Sequence, residues 1–233
     1  MLPAVGTADV APPALGLRER KKQQTRQLIA ETARRLFSER GFDRVTVAEV
    51  ARVADVSEQT VFNYFPTKED LVYWRMESFE EELLTAIRER APGESVLSAF
   101  GRFVREPRGM LAKRDPEARE QLAALTRMIT ESPSLLARER RIYDDYTASL
   151  AALIAEESGA DSSDTGSWVA ANAMIGLHRA LIDYTRGRIV AGERSPGLAR
   201  DVGAEAEKAL ALLGRGLGRY AVKDRQLGAS DRA

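Results

Sequence analysis

Between Arg18 and Tyr220 no run of residues alternates apolar with polar side chains for long enough to build a β-strand. What recurs is the three-to-four spacing of a helix, cut into pieces by residues that start or stop one. On the first piece Ile29, Ala33, Leu36 and Phe37 form one stripe, and Gly41 stands where a left-handed C-terminal cap belongs. Thr46-Val47-Ala48-Glu49 has the spacing of a capping box, in which side chain and backbone satisfy each other's orphan amides. Ser57 caps the next piece and Pro66 stops it, because a proline ring cannot continue the ladder. Thr67-Lys68-Glu69-Asp70 opens another. Asp115-Pro116 and Ser132-Pro133 each set a cap before a proline at the first helical position, and Gly159 and Gly192 mark later ends. These signals predict about nine helices, at roughly 18–40, 46–53, 57–64, 67–90, 94–106, 117–131, 133–158, 165–191 and 197–221. The expected class is all-α.

The 233 residues suffice for a small domain fused to a larger one. There is no cysteine, which excludes disulfides, thiolate metal sites and cysteine nucleophiles, and the single histidine, His178, excludes a multi-histidine metal site. No metal and no cofactor is expected. Enzymatic chemistry would need a clustered nucleophile, base or metal constellation. The nearest thing to one, Asp144-Asp145 in RERRIYDD, reads as a solvated helix face. Residues 1–17 hold three prolines and no lysine or arginine, so they lack the basic start of a signal peptide and read as a disordered tail. Residues 222–233 are expected to be a second tail. No stretch approaches the roughly 20 apolar residues that span a bilayer, and the expectation is a cytoplasmic protein.

The net charge of zero conceals an asymmetry. From Arg18 to Arg40 there are eight basic residues against three acidic, and from 41 to 76 four against six, so 18–76 carries +3. Positive charge is concentrated at the front, where a polyanion could be met.

Residues 46–65, TVAEVARVADVSEQTVFNYF, then contain two short helices and a tight turn. Val47, Val50, Ala51, Val56, Val61 and Phe65 are the expected core, and Ala54 is small enough for close approach. A helix-turn-helix needs this bracing, because its second helix must enter the major groove at a fixed angle. Ser57, Glu58, Gln59, Thr60 and Asn63 are left on the outer face. Glutamine and asparagine can pair with adenine, and threonine can meet a thymine methyl.

The run from about Lys22 to Glu80 resembles the DNA-binding domain of the TetR family. ARRLFSERGF, TVAEVARVADVS and TVFNYFPTKEDLV stand in the family's order. The resemblance implies an N-terminal three-helix helix-turn-helix domain over 18–80, joined to a helical ligand-binding and dimerisation bundle over 81–221. It implies a sequence-specific regulator, most simply a repressor released from a palindromic double-stranded operator by a small, largely apolar molecule. Thr46 would then donate to a phosphate, Gln59 and Thr60 would contact bases, and Asn63 would reach either. Tyr64 would give its hydroxyl to a phosphate, Lys68 its ammonium, and Arg18, Arg20 and Lys22 correspond to a basic arm. Many relatives carry tyrosine where this chain has Phe62. A phenyl ring cannot donate to a phosphate, so it either packs in the core, the expected place, or meets a thymine methyl.

The last two helices are rich in small residues (Ala170, Ala171, Ala173, Gly176, Ala204, Ala206, Ala209 and Gly214), which suits the close helix approach of a homodimer seam. Leu210, Leu213 and Leu217 would supply its apolar stripe. Phe100, Phe103, Met128, Tyr143, Tyr146, Trp168 and His178 are candidate ligand-pocket residues, each of which could equally be plain core. His178, beside Arg179, is either a polar anchor for an acidic ligand or a satisfied interior histidine.

Overall fold

The computed structural model describes residues 16–113, 115–161, 163–193, 195–217 and 222. The tails expected over 1–17 and 222–233 fall outside these, apart from Gly16, Leu17 and Val222, as do residues 218–221 at the end of the last expected helix. Among the described residues there are eleven helices, and the only strand-like feature is an isolated bridge between Ser95 and Val222. No helix among the described residues is long and apolar enough to cross a membrane.

The chain divides into two compact units, one of residues up to Arg40 with 44–72, the other of 41–43 with everything from Tyr73 onward. The first holds α1 (Leu17–Arg40), α2 (Val47–Val53) and α3 (Glu58–Tyr64). The stripe of α1 is buried as its spacing dictates, with Ile29, Ala33, Leu36 and Phe37 inside, and Gly41 follows at φ +84. The capping box forms: the Thr46 hydroxyl accepts from the Glu49 amide at 3.2 Å, and Glu49 Oε2 accepts from the Thr46 amide at 2.9 Å. The turn after α2 is a Schellman motif, with Val56 N–H donating to Ala51 O at 3.0 Å and Asp55 N–H to Arg52 O at 3.4 Å. Its left-handed position, usually glycine, is Asp55 at φ 55, a residue type that tolerates this conformation. Val50, Ala51, Ala54, Val61 and Phe65 are buried, whereas Val47 and Val56 are only half-buried.

The expected fourth helix is two helices, α4 (Asp70–Tyr73) and α5 (Met76–Arg88). The Thr67 cap forms, its amide and hydroxyl donating to Asp70 Oδ2 at 2.9 and 2.8 Å. At Arg75 the backbone has φ −88 and ψ −8, so the chain still winds but the hydrogen-bond ladder lapses. No proline or glycine marks that place in the sequence. The second addition is α7 (Gly109–Ala112), a single turn too short to show periodicity.

The second unit continues with α6 (Val96–Arg105), α8 (Pro116–Glu131), α9 (Pro133–Ser158), α10 (Thr165–Val190) and α11 (Leu198–Leu217). Both proline starts are capped as expected, Asp115 accepting from Ala118 N–H at 2.7 Å and Ser132 from Leu135 N–H at 3.5 Å. The long α9 and α10 pack against one another, with α11 and α8 on α10 and α6 on α11. A buried ion pair, Arg186 to Glu139 at 2.7 Å, ties α10 to α9. Buried Arg90 donates to Ile87 O at 2.8 Å and pairs with Glu157. Tyr73 Oη donates to Leu135 O at 3.0 Å.

The small residues of α10 and α11 sort into two sets. Ala170, Ala171 and Ala206 are buried within the chain, while Gly176, Ala204 and Gly214 face outward and Ala173 and Ala209 are half-buried. A Cβ added at Gly176, Gly187, Gly203 or Gly214 would meet nothing within 4 Å. Val169 shares the face of α10 that carries Gly176 and Gly187, and Val169, Val190 and Leu212 are each more than half exposed, Leu212 on the side of α11 turned away from Gly203 and Gly214. Leu210 does not join them: its methyl groups lie 3.1 Å from where a Cβ on Gly101 would be, so it packs on α6 of its own chain.

Candidate nucleic-acid interface

Helix α3 is seven residues long and can turn only one stripe inward. Val61 and, at its C-terminal cap, Phe65 are that stripe, at 1% exposure each. The rest of the helix surface is left outside. Ser57 and Thr60 serve the start of the helix: the Ser57 hydroxyl accepts from the Thr60 amide at 3.0 Å and lies 2.8 Å from the Thr60 hydroxyl. Thr60 is half-buried there. Gln59 and Asn63 are exposed and joined, Gln59 Nε2 donating to Asn63 Oδ1 at 3.1 Å. Tyr64 is half-buried at the end of the same helix.

Phe62 is not core. It is 43% exposed, because it stands about 100° around the helix from Val61. The core was the expected place because a phenyl ring has no hydroxyl to give a phosphate, with a thymine methyl as the alternative. The signal that locates it is its spacing, three residues from Gln59 and beside Asn63.

Thr46 caps α2, and its hydroxyl also lies 3.2 Å from Glu49 Oε2. Glu49 further pairs with Arg40 at 2.9 Å. The Thr46 amide above all, and then the Arg40 guanidinium, hold the Glu49 carboxyl below the usual carboxylate range. Lys68 lies in the capped turn before α4, half-buried, with its ammonium 5.9 Å from the centre of the Phe37 ring. Arg18, Arg20 and Lys22 are exposed, and they are helical rather than extended. Arg18 and Lys22 share one face of the opening turns of α1 and Arg20 stands on another.

In the second unit, four of the seven pocket candidates meet in an aromatic cluster. Phe79 of α5 is its hub, 5.3 Å from Phe103, 5.5 Å from Tyr146 and 4.6 Å from His178, ring centre to ring centre. Tyr143 lies 6.1 Å from Tyr146 and 6.0 Å from His178. The Arg108 guanidinium covers the outer face of Phe103 at 3.6 Å. Burial, and secondarily Arg108, push the His178 pKa down to about 4. At neutral pH the imidazole is therefore uncharged and offers an acidic ligand a hydrogen bond rather than a cation. Phe100 is fully buried, Met128 half-buried and Trp168 39% exposed. Tyr143 borders a cavity of about 120 Å³ between α9 and α10, and Phe103 a groove of about 520 Å³ along α5. Arg108 was missed as a site residue, because nothing in the sequence marks which of many arginines will cover a ring.

Residues 29–73 match the family described as bacterial regulatory proteins, tetR family, and residues 94–189 match the MftR C-terminal domain. The regulator TcmR of Streptomyces glaucescens is 30% identical over 151 residues, which are 64% of this chain and 67% of that protein. The chain belongs to the TetR family. The regulator LuxR of Vibrio harveyi is 32% identical over 124 residues, 53% of this chain, and the match spans half of that protein's length. Among solved structures, Salmonella enterica GusR aligns over 84% of this chain and 96% of its own, with 22% identity and a TM-score of 0.47.

As a TetR-family member the chain is a DNA-binding transcriptional regulator, and its family is one of regulators rather than enzymes. The all-α class expected from the capping pattern holds, with eleven helices among the described residues where about nine were expected. The matched residues 29–73 include α2, the turn and α3 in full.

Proposed function

We propose that the protein is a homodimeric repressor that occupies a palindromic operator and leaves it when a small, largely apolar molecule binds the helical bundle. The observation that carries the reading is the outer face of α3, where Gln59 and Asn63 stand exposed and joined on a helix braced from behind by Val61 and Phe65. Amide side chains held in this way match the donor and acceptor pattern of adenine in the major groove. Around them Thr46, Tyr64, Lys68 and the basic residues Arg18, Arg20 and Lys22 supply phosphate contacts that fix the register. Ser57 and Thr60 serve the helix cap and approach the DNA through the same end of α3.

Dimerisation is supported by the outward Gly176 and Gly187 of α10 with Val169 on the same face, and by the exposed apolar side chains Val190 and Leu212. Such a surface lets a second copy approach closely, and a two-fold pair of heads reads an inverted repeat. The sensing role rests on the aromatic cluster around Phe79. The domain division at about residue 80 and the cytoplasmic location belong to the same reading.

The test is selection of DNA from a random pool by the full-length protein, followed by transcription in vitro from a promoter overlapping the selected site. Enrichment of an inverted repeat and a fall in transcript are expected. An asymmetric selected site, or a rise in transcript, would overturn the palindrome or the repression respectively.

A further inference from the structure

We propose that Phe62 reads the 5-methyl group of a thymine, so that α3 carries a three-residue reader for adenine–thymine steps made of Gln59, Phe62 and Asn63. The inference rests on α3 facing the major groove, as argued above, and goes beyond it by assigning a base and a chemical group to an apolar side chain.

Phe37 and Phe65, in the same unit, are 2% and 1% exposed, whereas Phe62 is 43% exposed. A single exposed apolar residue is ordinary on a protein surface. What distinguishes Phe62 is its company. Positions 59, 62 and 63 form one patch of a helix surface, and two corners of that patch are the amides already bonded to each other. After donating one N–H to Asn63, Gln59 keeps its carbonyl oxygen and a second N–H. Those are the two groups that pair with the adenine N6 amino group and N7. A ring beside an amide so engaged lies over the neighbouring major-groove edge. The one apolar group a base pair presents there is the thymine methyl, while cytosine presents an amino group that a phenyl face cannot satisfy. Lacking a hydroxyl, Phe62 has no competing phosphate contact to make.

The test uses the full-length protein and the DNA it selects, with each thymine replaced in turn by uracil, which removes only the methyl group. One position per half-site should weaken binding about fourfold, the worth of one buried methyl. Phe62→Ala removes the contact from both half-sites, so it should bind the unaltered site about sixteenfold less tightly and be indifferent to uracil at that position, and Phe62→Tyr should keep the sensitivity. The scan needs no altered protein, so folding does not enter it. Equal tolerance of uracil at every position, or an undiminished sensitivity in Phe62→Ala, overturns the proposal while leaving the docking of α3 intact. Binding that does not prefer the selected DNA to a scrambled sequence overturns the docking, and the proposal with it.

Discussion

Gln59 and Asn63 meet one turn apart on α3, the amide of one donating to the carbonyl of the other across 3.1 Å. The bond orders both side chains before DNA arrives, so less rotamer freedom is lost on contact. Gln59→Ala is expected to cost roughly 1–3 kcal/mol and to relax preference at one base pair of each half-site. Because the pair acts as a unit, the double variant with Asn63→Ala should cost less than the two single losses summed. Titration against operators substituted one base pair at a time measures both. Strict additivity, with unchanged preference, would show that the pair does not read bases together.

Lys68 and Tyr64 are expected to position the head without reading sequence. Lys68→Ala should weaken selected and scrambled DNA by similar factors and lower the salt slope by about one unit per half-site, because one fewer counterion is released. Tyr64→Phe should cost on the order of 1 kcal/mol per half-site with the slope nearly unchanged, a neutral donor having been lost. Titrations at several salt concentrations separate the two. A change in preferred sequence for either variant would count against the phosphate assignment.

Leu212 is 65% exposed, and a charge there should disturb the assembly and not the fold. Leu212→Glu is expected to sediment as a folded monomer at concentrations where the unaltered protein is a dimer, and to lose operator affinity, since one head makes too few contacts. An unaltered protein that sediments as a monomer at micromolar concentration would remove the basis of this expectation.

Helix ends were legible in the sequence because caps are local. Thr46 with Glu49, Ser57, Gly41 and the two proline starts each act within a few residues of themselves, and each is found where its chemistry places it. The lapse at Arg75 was not legible, since the backbone stays in the helical region and no residue type announces it. Phe62 was misplaced because the missing hydroxyl says only what a residue cannot donate, and geometry decides what a seven-residue helix can bury. The cluster that joins Phe79 to His178 across 99 positions is a product of packing, and only its members' aromatic character could be read beforehand.

His178 makes the second unit sensitive to acid. The fold holds its pKa down at about 4, below the ordinary imidazole value of 6.5, chiefly by burial and secondarily through Arg108. The unfolded chain therefore binds a proton that the folded chain refuses between those values. Stability from this source is full above about pH 6.5 and is lost as the pH falls toward 4, amounting to about 2 kcal/mol by pH 5. His178→Phe keeps a ring against Phe79 and removes the titration. Urea unfolding at pH 7.5 and pH 5 should show a larger loss in the unaltered protein than in the variant. Equal losses would mean that His178 is solvated in the folded state.

The open space over Gly176 and Gly187 bears on how variants of this protein will be ranked. Alanine at a helical glycine that touches nothing removes backbone freedom from the unfolded chain and strengthens the isolated helix by up to about 1 kcal/mol. In the proposed dimer the same methyl group stands in the way of a helix that must come close. A screen for thermal resistance of the single chain will therefore promote substitutions that a screen for gene control discards, and the disagreement between two such screens, position by position, would trace the outline of the contact surface without a structure of the pair.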